Sequence, residues 1–377
     1  MATAPIKGAV EDAELGELAT KSNRRGAMLP GPAPIGTALV GYGYWGPNLA
    51  RNIAECEGLQ LEALCELDRK QASMFRHRHP GARTVADLEV VLADPTVEAV
   101  VIATPPQTHH PLAMRALEAG KHVLVEKPLA TSLDAALELA DVARANQRTL
   151  MPGHTFVYSP AVNTVRDLIR DGTVGDVHFV TSARMNLGRY NDQGVVCDLA
   201  PHDLSILLYW LGEPIVEVAA SGSSVLKQGV PETAFMTLTF ATGQTANVQI
   251  SWLAPRKVRQ TIVVGSKRMV QYDDTASDEP VRVYDRGMDI LPPTPANFGE
   301  HQLIYRAGDV VIPRVEPQEP LRLELEDFAR AIRTGREPHS NLDLGIEIVA
   351  AVESIQASML RCGAPLSLPT LTDRAAA

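Results

Sequence analysis

Between residues 35 and 152 the chain alternates short apolar runs with longer mixed ones. Residues 35–40, 59–65, 97–103, 122–125 and 149–152 read as strands. The run 97–103, VEAVVIA, is apolar enough to be covered on both faces, as in a parallel sheet. The stretches between them (68–79, 86–93, 108–119 and 134–146) carry helical patterning. Pro80-Gly81 and Gly120 stop two of these helices. Strands and helices in strict alternation with short links predict a doubly wound parallel sheet over residues 34–153.

After residue 153 the texture changes. One more helix is expected over 161–170, and then strand patterns dominate: 177–185, 216–225, 234–240, 245–252, 260–264, 269–272 and 281–284. Tight turns such as Ala241-Thr242-Gly243 between adjacent strands indicate hairpins and a largely antiparallel sheet. A helix over 199–211 interrupts the set, residues 280–320 read as proline-rich and irregular, and helices over 321–333 and 344–362 close the chain. The expectation for residues 154–377 is an α+β domain with helices on one sheet face. Apolar strand positions such as those in 234–252 then need cover on the other face, which predicts a homodimer or homotetramer. Residues 1–33 show acids at Glu11, Asp12, Glu14 and Glu17, then Pro30, Gly31 and Pro32, and no signal-peptide pattern. A flexible tail is expected there.

Composition excludes several classes of function. The formal net charge of −10 argues against a general nucleic-acid binder. The four cysteines are scattered without a CxxC pair, which suits a reducing, cytoplasmic setting and forms no recognisable zinc site. The ten histidines show no HxxxH or HExxH pairing, so no metal is expected. No apolar run approaches the roughly 18–20 residues that span a membrane.

The strand 35–40 runs into Gly41-Tyr42-Gly43-Tyr44-Trp45-Gly46 and then a helix with Pro47 in its first turn. In this context GxGxxG is a dinucleotide fingerprint. Gly41 permits the tight turn, Gly43 lets the backbone approach a pyrophosphate, and Gly46 lets helix and strand pack closely. The helix N-terminus offers N–H groups and partial positive charge to phosphate. Tyr44 and Trp45 belong to the same loop. Glu66 follows the second strand, twenty positions beyond Gly46, where a carboxylate accepts hydrogen bonds from ribose hydroxyls and repels a 2′-phosphate. NAD is therefore expected rather than NADP. Asp68 can share this role, and nearby Arg69 pulls the other way. The loop Ala103-Thr104-Pro105-Pro106 with Thr108-His109 lies at the same sheet edge and is a candidate cofactor contact, although Pro-Pro is equally a rigid turn and His109 a helix cap.

Glu126-Lys127-Pro128 stands at the carboxyl end of a parallel strand, where open α/β sheets place ligands. A partly desolvated lysine there serves in proton transfer. Alone, the tetrapeptide Val125-Glu126-Lys127-Pro128 reads more simply as a strand-end lysine. Further on, Asp198 and His202 are four apart, one turn of a helix, at an expected helix start. An imidazole beside a carboxylate suits acid–base work near neutral pH. The competing readings are Asp198 as an N-cap and His202 as a core histidine. Arg184 and Asn186, with Arg189, precede that helix and are candidate donors to a carboxylate or diphosphate, or plain strand-edge residues. Tyr158 is a further candidate substrate contact.

Together the glycine fingerprint, AGKHVLVEKPLA at 119–130, the Asp198-xxx-His202 pair and the closing helices resemble the glucose–fructose oxidoreductase / inositol 2-dehydrogenase (Gfo/Idh/MocA) family. The resemblance implies a Rossmann domain followed by an α+β domain whose large open sheet mediates oligomers. It implies Lys127, Asp198 and His202 as the catalytic set, with hydride passing between a sugar carbinol carbon and nicotinamide. GYGYWGPNLARN, ARMNLGRY and CDLAPHDLSILLYWL are similar to the branch containing nucleotide-sugar dehydrogenases, including enzymes acting at C3 of UDP-sugars. Inositol or free-sugar dehydrogenases, and NAD-dependent glycoside hydrolases, share the scaffold. A non-catalytic NAD-binding regulator has no use for a proton relay, so the lysine, aspartate and histidine argue against it.

Overall fold

The computed structural model describes residues 33–188, 190–291 and 302–368; residues 1–32 of the expected tail and Arg189 lie outside them. Six strands open the chain: β1 Ile35–Val40, β2 Leu59–Cys65, β3 Arg83–Val85, β4 Ala99–Ile102, β5 His122–Glu126 and β6 Leu150–Gly153. They form one parallel sheet in the order β3-β2-β1-β4-β5-β6. Helices α1 Gly46–Glu55, α2 Arg69–Arg78, α3 Leu88–Leu92, α4 His109–Glu118 and α5 Leu133–Ala145 connect them. Every position of β1 and β4 is buried, which is why these strands carry no polar alternation. The strand order reverses between β1 and β4, and a ligand crevice belongs at the carboxyl ends there. β3 was not legible as a strand. It has three residues, none buried, and exists by pairing with the carboxyl half of β2.

The second half comprises α6 Pro160–Arg170, β7 Val177–Leu187, α7 Gly194–Leu211, β8 Ile215–Ser223, β9 Thr233–Phe240, β10 Thr245–Ser251, β11 Leu253–Gly265, β12 Met269–Asp273, β13 Val281–Tyr284, β14 Gly287–Leu291, β15 Gln302–Arg306, β16 Val310–Val311, α8 Pro320–Thr334, α9 Leu342–Leu360 and β17 Leu366–Ser367. Nine of these strands form a sheet in the order β16-β13-β12-β11-β7-β10-β9-β8-β17, antiparallel except between β7 and β10. The stretch expected to be irregular, 280–320, holds three unforeseen strands. β14 and β15 pair only with each other, so they carry no alternation imposed by a core face.

One expectation about the sheet needs correcting. In β9 and β10 the apolar positions Ala234, Met236, Leu238, Phe240, Ala246, Val248 and Ile250 are already buried in the core that α7 and α9 share. The opposite face carries Thr237, Thr239, Asn247 and Gln249, with Phe235 half exposed at 50%. Period-two alternation places the apolar set on one face, and helices of the same chain cover it.

The closing helices return to the first sheet. Leu325 and Phe328 of α8 are fully buried with Leu49 and Ile53 of α1, each contributing about 1.5–3 kcal/mol of burial. Ile346, Val349 and Ala350 of α9 join the core under α5. A Cβ on Gly345 would stand 2.7 Å from the Pro152 ring, so α9 approaches β6 closely only because that position is glycine. Among the described residues no helix is long and apolar enough to cross a membrane.

Candidate active site

β1 delivers the chain into a turn that only glycine accepts. Gly41 has φ +93°, and a Cβ there would lie 2.7 Å from the Ala103 carbonyl oxygen. A Cβ on Gly46 would meet the Gly41 oxygen at 2.9 Å, so helix and strand pack too tightly for a side chain. Nothing lies within 4 Å of where a Cβ on Gly43 would be, which leaves that side of the loop open to a ligand. α1 starts at Gly46 with no side-chain cap and no acid in its first turn. Tyr44, 75% exposed, and Trp45 pack edge to face on the loop's outside. Glu66 is anchored: its Oε2 accepts from Tyr42 N–H at 2.6 Å and its Oε1 from Asp68 N–H at 2.8 Å. These bonds tie a carboxylate to the glycine loop. The Asp68 carboxylate caps α2, its Oδ1 accepting from the N–H groups of Lys70 and Gln71. An open loop at Gly43, an uncapped helix N-terminus and an anchored acid fit a dinucleotide.

At the next strand ends, the Thr108 hydroxyl lies 2.7 Å from both the Thr104 hydroxyl and the Pro105 carbonyl oxygen. His109 is not placed to touch a cofactor, contrary to expectation. Its ring is buried, with Nδ1 2.7 Å from the Pro128 oxygen and Nε2 2.9 Å from the Thr104 oxygen, so it braces two edge loops. Glu126 is buried beside Lys127, and burial raises its carboxyl to about 7.

Lys127 reaches across to the second half of the chain. Its Nζ donates to the Asp198 carbonyl at 2.7 Å and to Asp198 Oδ1 at 3.1 Å, with 13% of the side chain exposed. Asp198 and His202 are not at a helix start: α7 begins at Gly194, and Pro201 lies inside it. Interior proline removes the donor that Cys197 oxygen would otherwise receive, and it disfavours the helix by about 3 kcal/mol. The adjacent carbonyl, that of Asp198, is the one that receives the lysine. Asp198 Oδ2 accepts from Trp252 Nε1 at 3.1 Å. The aspartate is thus held between Lys127 and Trp252, and no bond from it to His202 is present among the described residues. The His202 ring packs edge-on against Phe156, centroids 5.1 Å apart. Part of its surface stays accessible, yet burial, then the charges of Lys127 and Arg184, push its pKa well below the ordinary histidine value.

Two candidate substrate contacts are employed elsewhere. Arg184 donates from Nε to Asp203 Oδ2 at 2.7 Å, lies over the Phe156 ring, and is buried with its partner, at 3% and 2% exposure of the side chains. Among the described residues its Nη1 has no hydrogen-bond partner, nor does Asn186 Oδ1. Tyr158 faces away: its hydroxyl donates to Asp327 on α8 at 2.9 Å and accepts from Ser340 N–H at 3.0 Å. The sequence reading passed over His154, Phe156, Asp203 and Trp252. His154 was findable, since it directly follows a strand at the ligand-binding sheet edge. Asp203 and Trp252 were not, because their partners are distant in sequence.

Two family models match the chain, one described as an oxidoreductase family with an NAD-binding Rossmann fold over residues 35–154, the other as the GFO/IDH/MocA C-terminal domain over 162–271. Inositol 2-dehydrogenase of Corynebacterium glutamicum is 25% identical over 56% of this chain and 66% of its own. The structure of GenD2 from gentamicin A biosynthesis, solved in complex with NAD, is 26% identical, with a TM-score of 0.74 over 89% of this chain and 97% of that one. UDP-N-acetylglucosamine 3-dehydrogenase GnnA from Acidithiobacillus ferrooxidans, 24% identical, shares the fold with a TM-score of 0.72 over 86% and 97%. With both halves matched in order, this chain belongs to the Gfo/Idh/MocA family of NAD-binding oxidoreductases.

Proposed function

We propose that the protein is an NAD-dependent dehydrogenase or reductase acting on a carbinol carbon of a sugar or nucleotide sugar, C3 of a UDP-sugar being one candidate. The observation that carries this reading is the bond from Lys127, at the cofactor edge of the first sheet, into α7, which also bears His202. A base and a cation from the two halves of the chain converge on one place. The glycine loop, Glu66 and the Thr104-Pro105 loop hold NAD, which supplies the hydride acceptor. For oxidation, neutral His202 takes the hydroxyl proton. Lys127, with two of its three N–H donors on Asp198, turns the third to the oxygen where negative charge develops. Asp198 positions the lysine rather than the imidazole.

The test is a panel of UDP-, dTDP- and free sugars plus inositols, followed by NADH absorbance and product mass. Turnover of a UDP-sugar with a 3-keto product supports the full reading. Turnover only of inositols or free sugars moves the substrate class. Release of aglycone from aryl glycosides without NADH accumulation identifies a glycoside hydrolase instead.

The depressed pKa of His202 has a consequence for pH dependence. The base must be unprotonated, and lowering its pKa keeps it so to more acid pH. Oxidation is therefore expected to persist through pH 6–7, where an ordinary histidine would protonate. A kcat/KM profile with an acid limb centred near 6.5 contradicts this. A limb near 7 that disappears in Glu126→Gln belongs to Glu126.

Glu66→Ser removes the repulsion of a 2′-phosphate and also the acceptor for Tyr42 and Asp68 N–H. The preference for NAD over NADP should narrow by roughly tenfold, about 1.4 kcal/mol. Equal wild-type affinity for the two in a fluorescence titration removes Glu66 from the assignment.

A homodimer or homotetramer assembled through the outer sheet face is the expected state. Its motivation is now Phe179 and Phe235, both more than 40% exposed, with Ala183, Met185 and Ile262 on the same face. A monomeric mass by light scattering at micromolar concentration contradicts it.

A further inference from the structure

Trp252 lies between β10 and β11 and is 4% exposed. Its backbone is fixed on both sides. The Trp252 N–H donates to the Glu232 carbonyl at 2.9 Å, and the Trp252 carbonyl accepts from Gly188 N–H at 3.1 Å. Gly188 also lies against the indole. A Cβ there would stand 2.1 Å from Trp252 Cδ1 and 2.9 Å from Nε1, so only glycine leaves the indole where it is. Tyr190 packs on the same indole, ring centroids 5.8 Å apart. Both residues belong to the run ARMNLGRY at 183–190. An indole held this closely presents its N–H in one direction, and the acceptor there is Asp198 Oδ2 at 3.1 Å. Trp210 gives the contrast: its N–H goes to the Val162 carbonyl at 2.8 Å and joins two helices.

The two oxygens of Asp198 thus have different donors, Lys127 on Oδ1 and Trp252 on Oδ2. The torsion that turns an aspartate carboxylate is broad, so one bond alone does not fix its plane. Donors on both oxygens do. The plane in turn sets Lys127, whose Nζ meets the Asp198 carbonyl at 2.7 Å and Oδ1 at 3.1 Å. With two of its three N–H directions taken, the tetrahedral ammonium aims the third one way. If the carboxylate turns, the lysine keeps the carbonyl alone and swivels about that bond.

We propose that Trp252 is a positioning residue for the reaction: its indole N–H fixes the Asp198 carboxylate, which aims Lys127, and Gly188 holds the indole in place. The inference rests on the reading of Lys127 as the cation at the reacting oxygen.

Trp252→Phe keeps an aromatic ring and removes the N–H. With whichever sugar of the panel the wild type turns over, kcat should fall about tenfold, the scale of one hydrogen bond to a charged group, and KM for NAD should not change. Gly188→Ala keeps the N–H but displaces the indole, and should lower kcat to a similar extent. In an Asp198→Ala background, Trp252→Phe should have no further effect, because the group it acts through is gone. A merely structural tryptophan would lower activity in both backgrounds. Unchanged kcat in Trp252→Phe, or a full tenfold loss in the Asp198→Ala background, overturns the proposal. A second arm needs no substrate. The crystal structure of Trp252→Phe, or of Gly188→Ala if the phenylalanine variant fails to fold, should show Lys127 Nζ and Asp198 Oδ1 separated beyond about 4 Å, the limit of an ion pair. A contact unchanged in that structure overturns the proposal. If the wild type turns over none of the sugars, the functional reading fails, while the crystallographic arm still decides this one.

Discussion

Lys127→Ala and His202→Ala are each expected to lower turnover by roughly two orders of magnitude or more, the scale of a lost acid–base group. The reason lies in where the two side chains originate. Lys127 leaves the cofactor sheet and donates to Asp198 at 2.7 and 3.1 Å, while His202 stands one helical turn further along α7. Removing the lysine deletes the cation at the reacting oxygen and also releases Asp198. Removing the histidine deletes the neutral base and leaves the lysine bonded as before. NAD affinity should change little in either variant, because the glycine loop and Glu66 are untouched. Steady-state turnover beside NAD affinity decides the matter. Near-normal turnover in both variants takes these residues out of the chemistry. Inactivity of Lys127→Ala alone makes the lysine the base and reverses the two roles.

Asp203→Ala should be the most damaging substitution for stability, at about 3–5 kcal/mol, because it strands a buried charge. Asp203 sits under the sheet with Arg184 on one oxygen and the Ser182 hydroxyl, at 2.8 Å, on the other. Ser182 in turn meets Thr261 on the neighbouring strand at 2.8 Å. Once the carboxylate is gone, the buried guanidinium keeps the face of Phe156 and the more distant charge of Asp274 but loses its bonded partner. Asp203→Asn retains an acceptor and should cost less. Denaturant unfolding of the three proteins gives the ranking, and an alanine variant within 1 kcal/mol of wild type would show that water reaches Arg184. Because Arg184 also presses on Phe156 and so on His202, the same variant should lose activity before it unfolds.

Much of this protein is determined by local pattern. β1 and the glycine loop are legible because each residue there answers to its immediate neighbours: a short, mainly apolar run, buried at all six positions, for a doubly covered strand, and glycines where φ is positive or a Cβ would collide. The same holds for the parallel sheet apart from β3, for the near-boundaries of β7 to β10, β12 and β13, and for Lys127 at a strand's carboxyl end; β11 instead begins at Leu253, well before the expected start at residue 260. Periodicity is a property of one segment, so one segment is enough to read it.

Where burial is shared between distant segments, the sequence is silent. Arg184 reads as a substrate ligand until Asp203 is seen beside it, and Tyr158 until Asp327 and Ser340 take its hydroxyl. Asp198 reads as the partner of His202 because they are four residues apart, but Lys127 and Trp252, 71 and 54 positions away, hold its carboxylate. The apolar stripe of β9 and β10 reads as an interface until α7 and α9 are found lying on it. In each case a short side chain has several chemically suitable partners along the chain. Only the tertiary packing decides which of them lies within hydrogen-bond reach.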